Sequence, residues 1–280
     1  MQVREVILAA QRGFAGFSDT PRLDAQVLLG HIAGRSRAWI MAHSEAELSP
    51  EQALTLSLAL QRVEAGEPLP YLLGRQAFFG LDFAVTQDTL IPRPETELLV
   101  ERALEWLRAN ASRRLAADVG TGSGCISVSL VHEISDLTIF ASDLSLPALR
   151  VARQNARTHG VAGRVFFQQA DLFPASRQRF DLITANLPYI PSRKLPGLRV
   201  SAFEPRLALD GGPDGLGVIA RLLEKAPDCL APGGLILLEI EAGQGAAAQA
   251  VAHRAFPEAQ VQIFKDLAGH DRVVSIQAMQ

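Results

Sequence analysis

The chain has 280 residues, 48% of them apolar and 20% charged, which supplies a buried core and excludes disordered, collagen-like and coiled-coil classes. Its 27 basic and 30 acidic residues leave a net charge of −3, and only Lys194, Lys225 and Lys265 are lysines, so no overall basic field invites nucleic acid or an anionic membrane. Two cysteines, Cys125 and Cys229, and six scattered histidines exclude a disulfide framework and give no metal-ligand cluster. No apolar run approaches the roughly 20 residues that cross a bilayer. The short N-terminal apolar stretch is interrupted by Glu5, so a soluble cytoplasmic chain is expected.

The first seventy residues read as helices. Val3, Val6, Ile7 and Ala10 share one face at 3.6-residue spacing. Thr20-Pro21 is an N-cap followed by proline at the first helical position, opening a helix through Ala25, Leu28 and Leu29. Ser49-Pro50-Glu51-Gln52 repeats that signal with a capping box, and its helix is expected to turn Leu54, Leu58 and Val63 inward. Glu67-Pro68-Leu69-Pro70 breaks the pattern. The expected division is therefore a helical bundle over 1–70, a linker with a β-hairpin over 71–92, and a larger domain over 93–280. The hairpin is read at 78–85 with its turn near Gly80-Leu81-Asp82; Pro92 and Pro94 then lead into a helix carrying Leu98, Leu99, Leu104 and Leu107.

From Leu115 onward, short apolar strands alternate with helical stretches, the signature of a parallel sheet with crossover helices. Strands are expected at 115–119, 137–142, 164–169, 180–185 and 235–240, and helices near 125–134, 146–158, 215–229 and 246–255. Two further strands, 259–264 and 271–277, are joined too briefly to be parallel. The expected product is an α/β fold, a mostly parallel sheet closed at one edge by a reversed strand.

Between the strand at 115–119 and the following helix lies Asp118-Val119-Gly120-Thr121-Gly122-Ser123-Gly124. Alternate glycines allow a tight turn and let a ligand approach bare backbone at a helix N-terminus. The third glycine comes one residue earlier than in the dinucleotide fingerprint. Asp118 is a poor neighbour for a pyrophosphate and a good one for an ammonium or a hydroxyl, which points away from NAD and toward a cofactor with a cationic amino-acid end, such as S-adenosylmethionine. Asp143 ends the next strand, 23 residues after Gly120, where a carboxylate can accept both ribose hydroxyls or cap the following helix. Asp171-Leu172, after the third strand, offers a carboxylate to an adenine amino group and an apolar wall to its ring, or equally a capping Asp and a core Leu. All three places fall at the carboxyl ends of adjacent strands, where ligands bind in open α/β sheets.

Asn186-Leu187-Pro188-Tyr189 follows the fourth strand. A planar amide or aromatic amine is a poor nucleophile because its lone pair is delocalised. The Asn186 carbonyl and the backbone carbonyl one residue on can each accept one N–H of such a group and direct its lone pair at a sulfonium methyl, a gain of position and charge placement that needs no metal or strong base. Pro188 biases Leu187 toward extended geometry, and Tyr189 offers a flat face to a flat substrate group. Cys125 reads as a small packing residue. Arg93 reads as one half of an ion pair or a site residue, and Glu204 as a loop anchor.

The chain resembles the release factor glutamine methyltransferases (the PrmC/HemK family). The resemblance spans the helical N-terminal segment, Tyr71-Leu72-Leu73-Gly74, Phe79-Gly80, Leu90-Ile91-Pro92-Arg93-Pro94-Glu95-Thr96-Glu97, the glycine loop, Asn186 to Tyr189, and Glu204 to Gly212. It implies a Rossmann-like class I S-adenosylmethionine-dependent methyltransferase domain, with a seven-stranded sheet and one reversed strand, preceded by a small all-α bundle that reads the partner. The implied reaction methylates the side-chain amide of the glutamine in the Gly-Gly-Gln loop of peptide chain release factors. By matching position, Gly120, Thr121, Gly122, Ser123, Gly124, Asp143, Asp171, Leu172 and Asn186 would line the S-adenosylmethionine site. Asn186, Leu187, Pro188 and Tyr189 would hold the glutamine. The family usually has proline where Leu187 stands, and some members carry a large aromatic at Leu172. A monomer is expected, with no direct nucleic-acid partner. The alternatives are an amino-methyltransferase acting on adenine or guanine in DNA or RNA, a methyltransferase for a ribosomal-protein glutamine, a non-catalytic cofactor-binding scaffold, and an NAD-dependent oxidoreductase.

Overall fold

A computed structural model describes residues 2–16, 18–175 and 179–279. They divide into two compact units, one ending at Arg75 and the other beginning at Gln76.

The first unit is helical: α1 (Val3–Phe14), α2 (Pro21–Ala33), α3 (Arg37–Ala42), α4 (Pro50–Glu64) and α5 (Leu69–Leu73). The capping box at Ser49 forms as read, with Gln52 N donating to Ser49 Oγ at 3.1 Å and Ser49 N to Gln52 Oε1 at 2.9 Å. Leu54 and Leu58 do not turn inward. They are 63% and 54% exposed, while Leu56 and Val63 are buried. Leu56 and Val63 lie seven residues, two turns, apart on one stripe, whereas Leu54 and Leu58 fall nearly half a turn away. Nor does Pro68-Leu69-Pro70 end helical structure. Pro70 occupies the first turn of α5, where its missing N–H costs no intrahelical bond.

A two-stranded sheet follows, of β1 (Arg75–Phe78), which begins on the last residue of the first unit, and β2 (Leu81–Ala84). Its turn is Phe79-Gly80, one residue earlier than expected, with both residues at positive φ. There follow α6 (Glu97–Ala109), β3 (Leu115–Val119), α7 (Cys125–Glu133), β4 (Thr138–Asp143), α8 (Leu146–Thr158), β5 (Val165–Gln169), β6 (Phe180–Ala185), α9 (Gly217–Cys229), β7 (Leu230–Glu239), α10 (Gly245–Ala255), β8 (Gln260–Lys265) and β9 (Asp271–Gln277). The seven-stranded sheet runs β5-β4-β3-β6-β7-β9-β8. Only β9 is reversed, and it does not close the edge. It lies between β7 and β8, antiparallel to both, so β8 is the outer strand. The chain reaches the edge through α10 and then returns by the short loop, which places the last strand one position inward.

Strand alternation sorts side chains to the two faces. Leu182, Leu235 and Leu237 join α6 and α7 on one face, while Ile183, Ile236 and Leu238 join α9 and α10 on the other. Because β4, β3 and β6 lie side by side, their carboxyl ends bring Asp143, the glycine loop and Asn186 to one edge.

Candidate functional site

The loop after β3 is tied down by backbone bonds: Gly120 N and Thr121 N both donate to Ser142 O, at 2.8 and 2.9 Å, and Gly124 N donates to Thr121 O at 2.8 Å. Gly120 sits at φ +74°, and a Cβ there would stand 2.9 Å from Leu187 Cδ2. Gly124 caps α7 at φ +81°, where a Cβ would stand 3.1 Å from Ala152 Cβ. Asn155 on α8 fastens the loop to the hairpin, donating to Ser123 O at 2.8 Å and Ala84 O at 3.0 Å and accepting from Ala84 N at 2.8 Å.

Asp118 does not reach a ligand. Fully buried beneath the loop, it accepts from Thr121 Oγ1 at 2.6 Å, Thr184 Oγ1 at 3.0 Å and Ser127 Oγ. Burial raises its pKa against the pull of those three hydroxyls. It holds the turn from within. Cys125, at the head of α7, has its thiol pushed up to about 12 by burial and by the neighbouring Asp118, so it stays neutral and packs.

Asp143 lines the cavity and does not cap α8. Its Oδ2 accepts from Gly122 N at 2.9 Å and its Oδ1 from Ser145 N at 2.8 Å, while Ser145 itself caps α8. Burial raises its pKa against these backbone donors. Leu172, buried and at φ +73°, places an apolar wall there, and its carbonyl accepts from Ser142 Oγ at 2.5 Å. A non-glycine residue at that φ stores roughly 1 kcal/mol of strain or more. Asp171 is half-exposed and accepts from Arg221 Nη2.

These groups surround one cavity of about 640 Å³, within the range of small-molecule sites. Gly120, Thr121, Gly122, Ser123, Asp143, Asp171, Leu172, Asn186, Leu187 and Pro188 all reach it; Gly124 and Tyr189 do not. Tyr189 turns away from the cavity. Its Oη donates to Glu239 Oε1 at 3.2 Å, its carbonyl accepts from Gln244 Nε2 at 2.9 Å, and burial beside Glu239 raises its pKa. Its ring therefore gives no stacking face to a ligand in this cavity. It anchors the loop instead. Glycines clamp the same loop from outside: a Cβ on Gly211 would stand 2.7 Å from Pro188 O, and one on Gly215 would stand 2.2 Å from Tyr189 O.

Asn186 Nδ2 donates to Thr96 Oγ1 at 3.1 Å, and among the described residues none donates to Asn186 Oδ1. Glu204, 5% exposed, accepts from Ile91 N at 3.0 Å and from Arg93 Nη2, so it is the loop anchor expected and Arg93 is its ion-pair partner. The other two arginines at the cavity are paired as well, Arg206 with Asp210 and Arg221 with Asp171. Asp88 and Asp143 are left without a cation among the described residues, a balance that suits a positively charged ligand and opposes a pyrophosphate.

Sequence reasoning missed Thr96, Asn155, Gly215, Gln244 and Glu239. Glu239 had a signal, being a carboxylate that ends the apolar run Leu235-Ile236-Leu237-Leu238. The other four act through contacts between distant segments.

Sheet order, glycine loop and acidic strand ends together define a methyltransferase of the Rossmann-like kind. Residues 95–196 match the methyltransferase small domain family and residues 6–74 the PrmC N-terminal domain family. A methyltransferase from Pyrococcus furiosus shares the fold at a TM-score of 0.53 and 17% identity, covering 80% of this chain and 100% of that one. The release factor glutamine methyltransferase of Moorella thermoacetica is 46% identical over 266 residues, 94% of each chain, and that of Nitratidesulfovibrio vulgaris is 42% identical over 95% of this chain and 91% of its own. The chain belongs to the release factor glutamine methyltransferases.

Proposed function

We propose that the chain transfers a methyl group from S-adenosylmethionine to the side-chain amide nitrogen of the glutamine in the Gly-Gly-Gln loop of peptide chain release factors. The carrying observation is Asn186: it lines the cavity with Nδ2 committed to Thr96 and Oδ1 uncommitted. The cavity fits the cofactor. Beyond its chain neighbours no atom lies within 4 Å of a Cβ built on Gly122, Leu172 supplies an apolar wall, and Asp143 a carboxylate with no cation beside it among the described residues. Gly120, Gly122, Asp143, Asp171 and Leu172 would hold it. When bound, S-adenosylmethionine supplies a methyl group on a positively charged sulfur and leaves as S-adenosylhomocysteine.

Asn186 Oδ1 and the Leu187 carbonyl accept the two N–H bonds of the substrate amide, draw its nitrogen toward tetrahedral geometry and aim its lone pair into the cofactor cavity. Leu187 in place of proline keeps that carbonyl. Pro188, with Gly211 against its own carbonyl, sets the path of the loop. Tyr189 fixes the loop through Glu239 rather than by touching substrate.

The helical first unit reads the release factor, and the chain works as a cytoplasmic monomer without a nucleic-acid partner. No helix among the described residues is long and apolar enough to cross a membrane. The test is transfer of radiolabelled methyl groups to purified release factors, with the loop glutamine replaced in a control. Label on the intact factor alone supports the reading. Label on duplex DNA, RNA or a ribosomal protein instead would overturn it.

A further inference from the structure

An asparagine carboxamide is nearly symmetrical in shape. Turned by half a rotation, Asn186 would offer an NH₂ to the substrate's NH₂, donor against donor, and the grip would fail. Something must choose the rotamer. Thr96, 1% exposed and in the 3₁₀ turn Pro94–Thr96 before α6, is the group that touches it.

A hydroxyl can donate or accept, so Thr96 accepts from Asn186 Nδ2 cleanly only if its own proton points elsewhere. Glu239, 1% exposed at the end of β7, lies behind it. Tyr189 Oη occupies Glu239 Oε1. Oε2 is buried with no hydrogen-bond donor. Burial is the largest influence on this carboxyl and raises its pKa, and the Thr96 hydroxyl is the first of the groups that pull it back toward the ionised form. Arg272 on β9 also favours the charge, and Glu95 opposes it. The carboxylate thus faces two hydroxyls, Thr96 and Tyr189, that belong to the two segments meeting at Asn186.

We propose that Thr96 and Glu239 are positioning residues for methyl transfer: in its ionised form the Glu239 carboxylate draws the Thr96 proton inward, leaving the Thr96 oxygen to hold Asn186 Nδ2 and so to turn Oδ1 toward the substrate nitrogen. The proposal rests on the reading of Asn186 as the substrate grip. In Glu239→Gln the carboxamide can present its NH₂ to Thr96. The Thr96 proton then points at Asn186 and favours the wrong rotamer.

The experiment compares Thr96→Val, Thr96→Ser, Glu239→Gln and Asn186→Ala in the full chain. For each, calorimetry with S-adenosylmethionine gives cofactor affinity, and a purified release factor gives kcat and KM. The Asn186 Hδ2 resonances, assigned by their loss in Asn186→Ala, report the rotamer without turnover. Thr96→Val is expected to lower kcat by about 10- to 100-fold. KM and cofactor affinity should stay within about threefold, and the Hδ2 resonances should move; Thr96→Ser should recover most of kcat, and Glu239→Gln should resemble Thr96→Val. Unchanged kcat and unchanged Hδ2 resonances in Thr96→Val and Glu239→Gln, with Asn186→Ala inactive, would overturn the positioning role alone. Full turnover in Asn186→Ala would bring down the substrate-grip reading and this proposal with it. If Thr96→Val does not fold, Glu239→Gln and Thr96→Ser decide by the same readouts.

Discussion

Gly120→Ala tests how the glycine loop and the Asn186 loop are locked together. The new Cβ incurs two costs. Gly120 sits at φ +74°, where an alanine loses roughly 1 to 2 kcal/mol relative to glycine. The Cβ also lands 2.9 Å from Leu187 Cδ2, in a side chain only 4% exposed, so a buried group must shift by several tenths of an ångström. Overpacking of that size adds about 1 kcal/mol, for a total of about 2 to 3 kcal/mol. At about 2 to 4 °C per kcal/mol for a domain of this size, Tm should fall by about 4 to 12 °C. Turnover should fall further than stability alone implies, because Leu187 adjoins Asn186 and misplacement near 1 Å can cost about 100-fold. Leu187→Val removes the Cδ2 atom. In a double-mutant cycle it should restore about 0.5 to 1 kcal/mol to Gly120→Ala and part of its turnover. Urea unfolding and methyl transfer on the four proteins give the cycle. Strict additivity in both would refute the proposed clash and with it the mechanical coupling of the two loops.

Asn186→Ala should keep S-adenosylmethionine affinity within a few-fold while kcat falls by about 100- to 1,000-fold, read by calorimetry beside steady-state assays. Asp118→Asn leaves one acceptor oxygen to meet three hydroxyls; it should cost about 2 to 4 kcal/mol in urea unfolding and weaken cofactor binding through the loop. Glu239 is raised from 4.5 to about 7 by burial, against Thr96, Arg272 and Tyr189 and with Glu95. Between those pH values the folded chain binds the proton that the unfolded chain has released, so stability falls as pH rises through the window, by about 3 kcal/mol at most. Glu239→Gln should flatten that slope, and a slope unchanged by the substitution would assign it to other groups. Arg221→Ala breaks a pair whose side chains are both about half exposed, so unfolding should change by less than about 1 kcal/mol.

The alternation of strand and helix from Leu115, the glycine loop and the Asn186 tetrapeptide were legible because each is local: periodicity, capping and turn chemistry act over a few residues. The same locality explains Ser49 and its box. The helix at 50–64 was located, yet its buried face was not, because a helix alone does not say which stripe its neighbours cover, and Leu56 with Val63 won over Leu54 and Leu58.

At the site, the sequence alone determined which segments reach the carboxyl ends of the strands. Tertiary packing determined which of their side chains face the cavity. Asp118 and Asp143 are both acidic residues at strand ends, but one is sealed under the glycine loop by three hydroxyls while the other lines the cavity. Tyr189 is turned inward by Glu239, 50 residues on, and Asn186 is oriented by Thr96, 90 residues back. Burial and hydrogen-bond partners are properties of the assembled sheet, set by which strands and turns become neighbours. Neither can be read from a segment taken alone, because a polar group adopts whichever satisfied environment the whole fold leaves open to it.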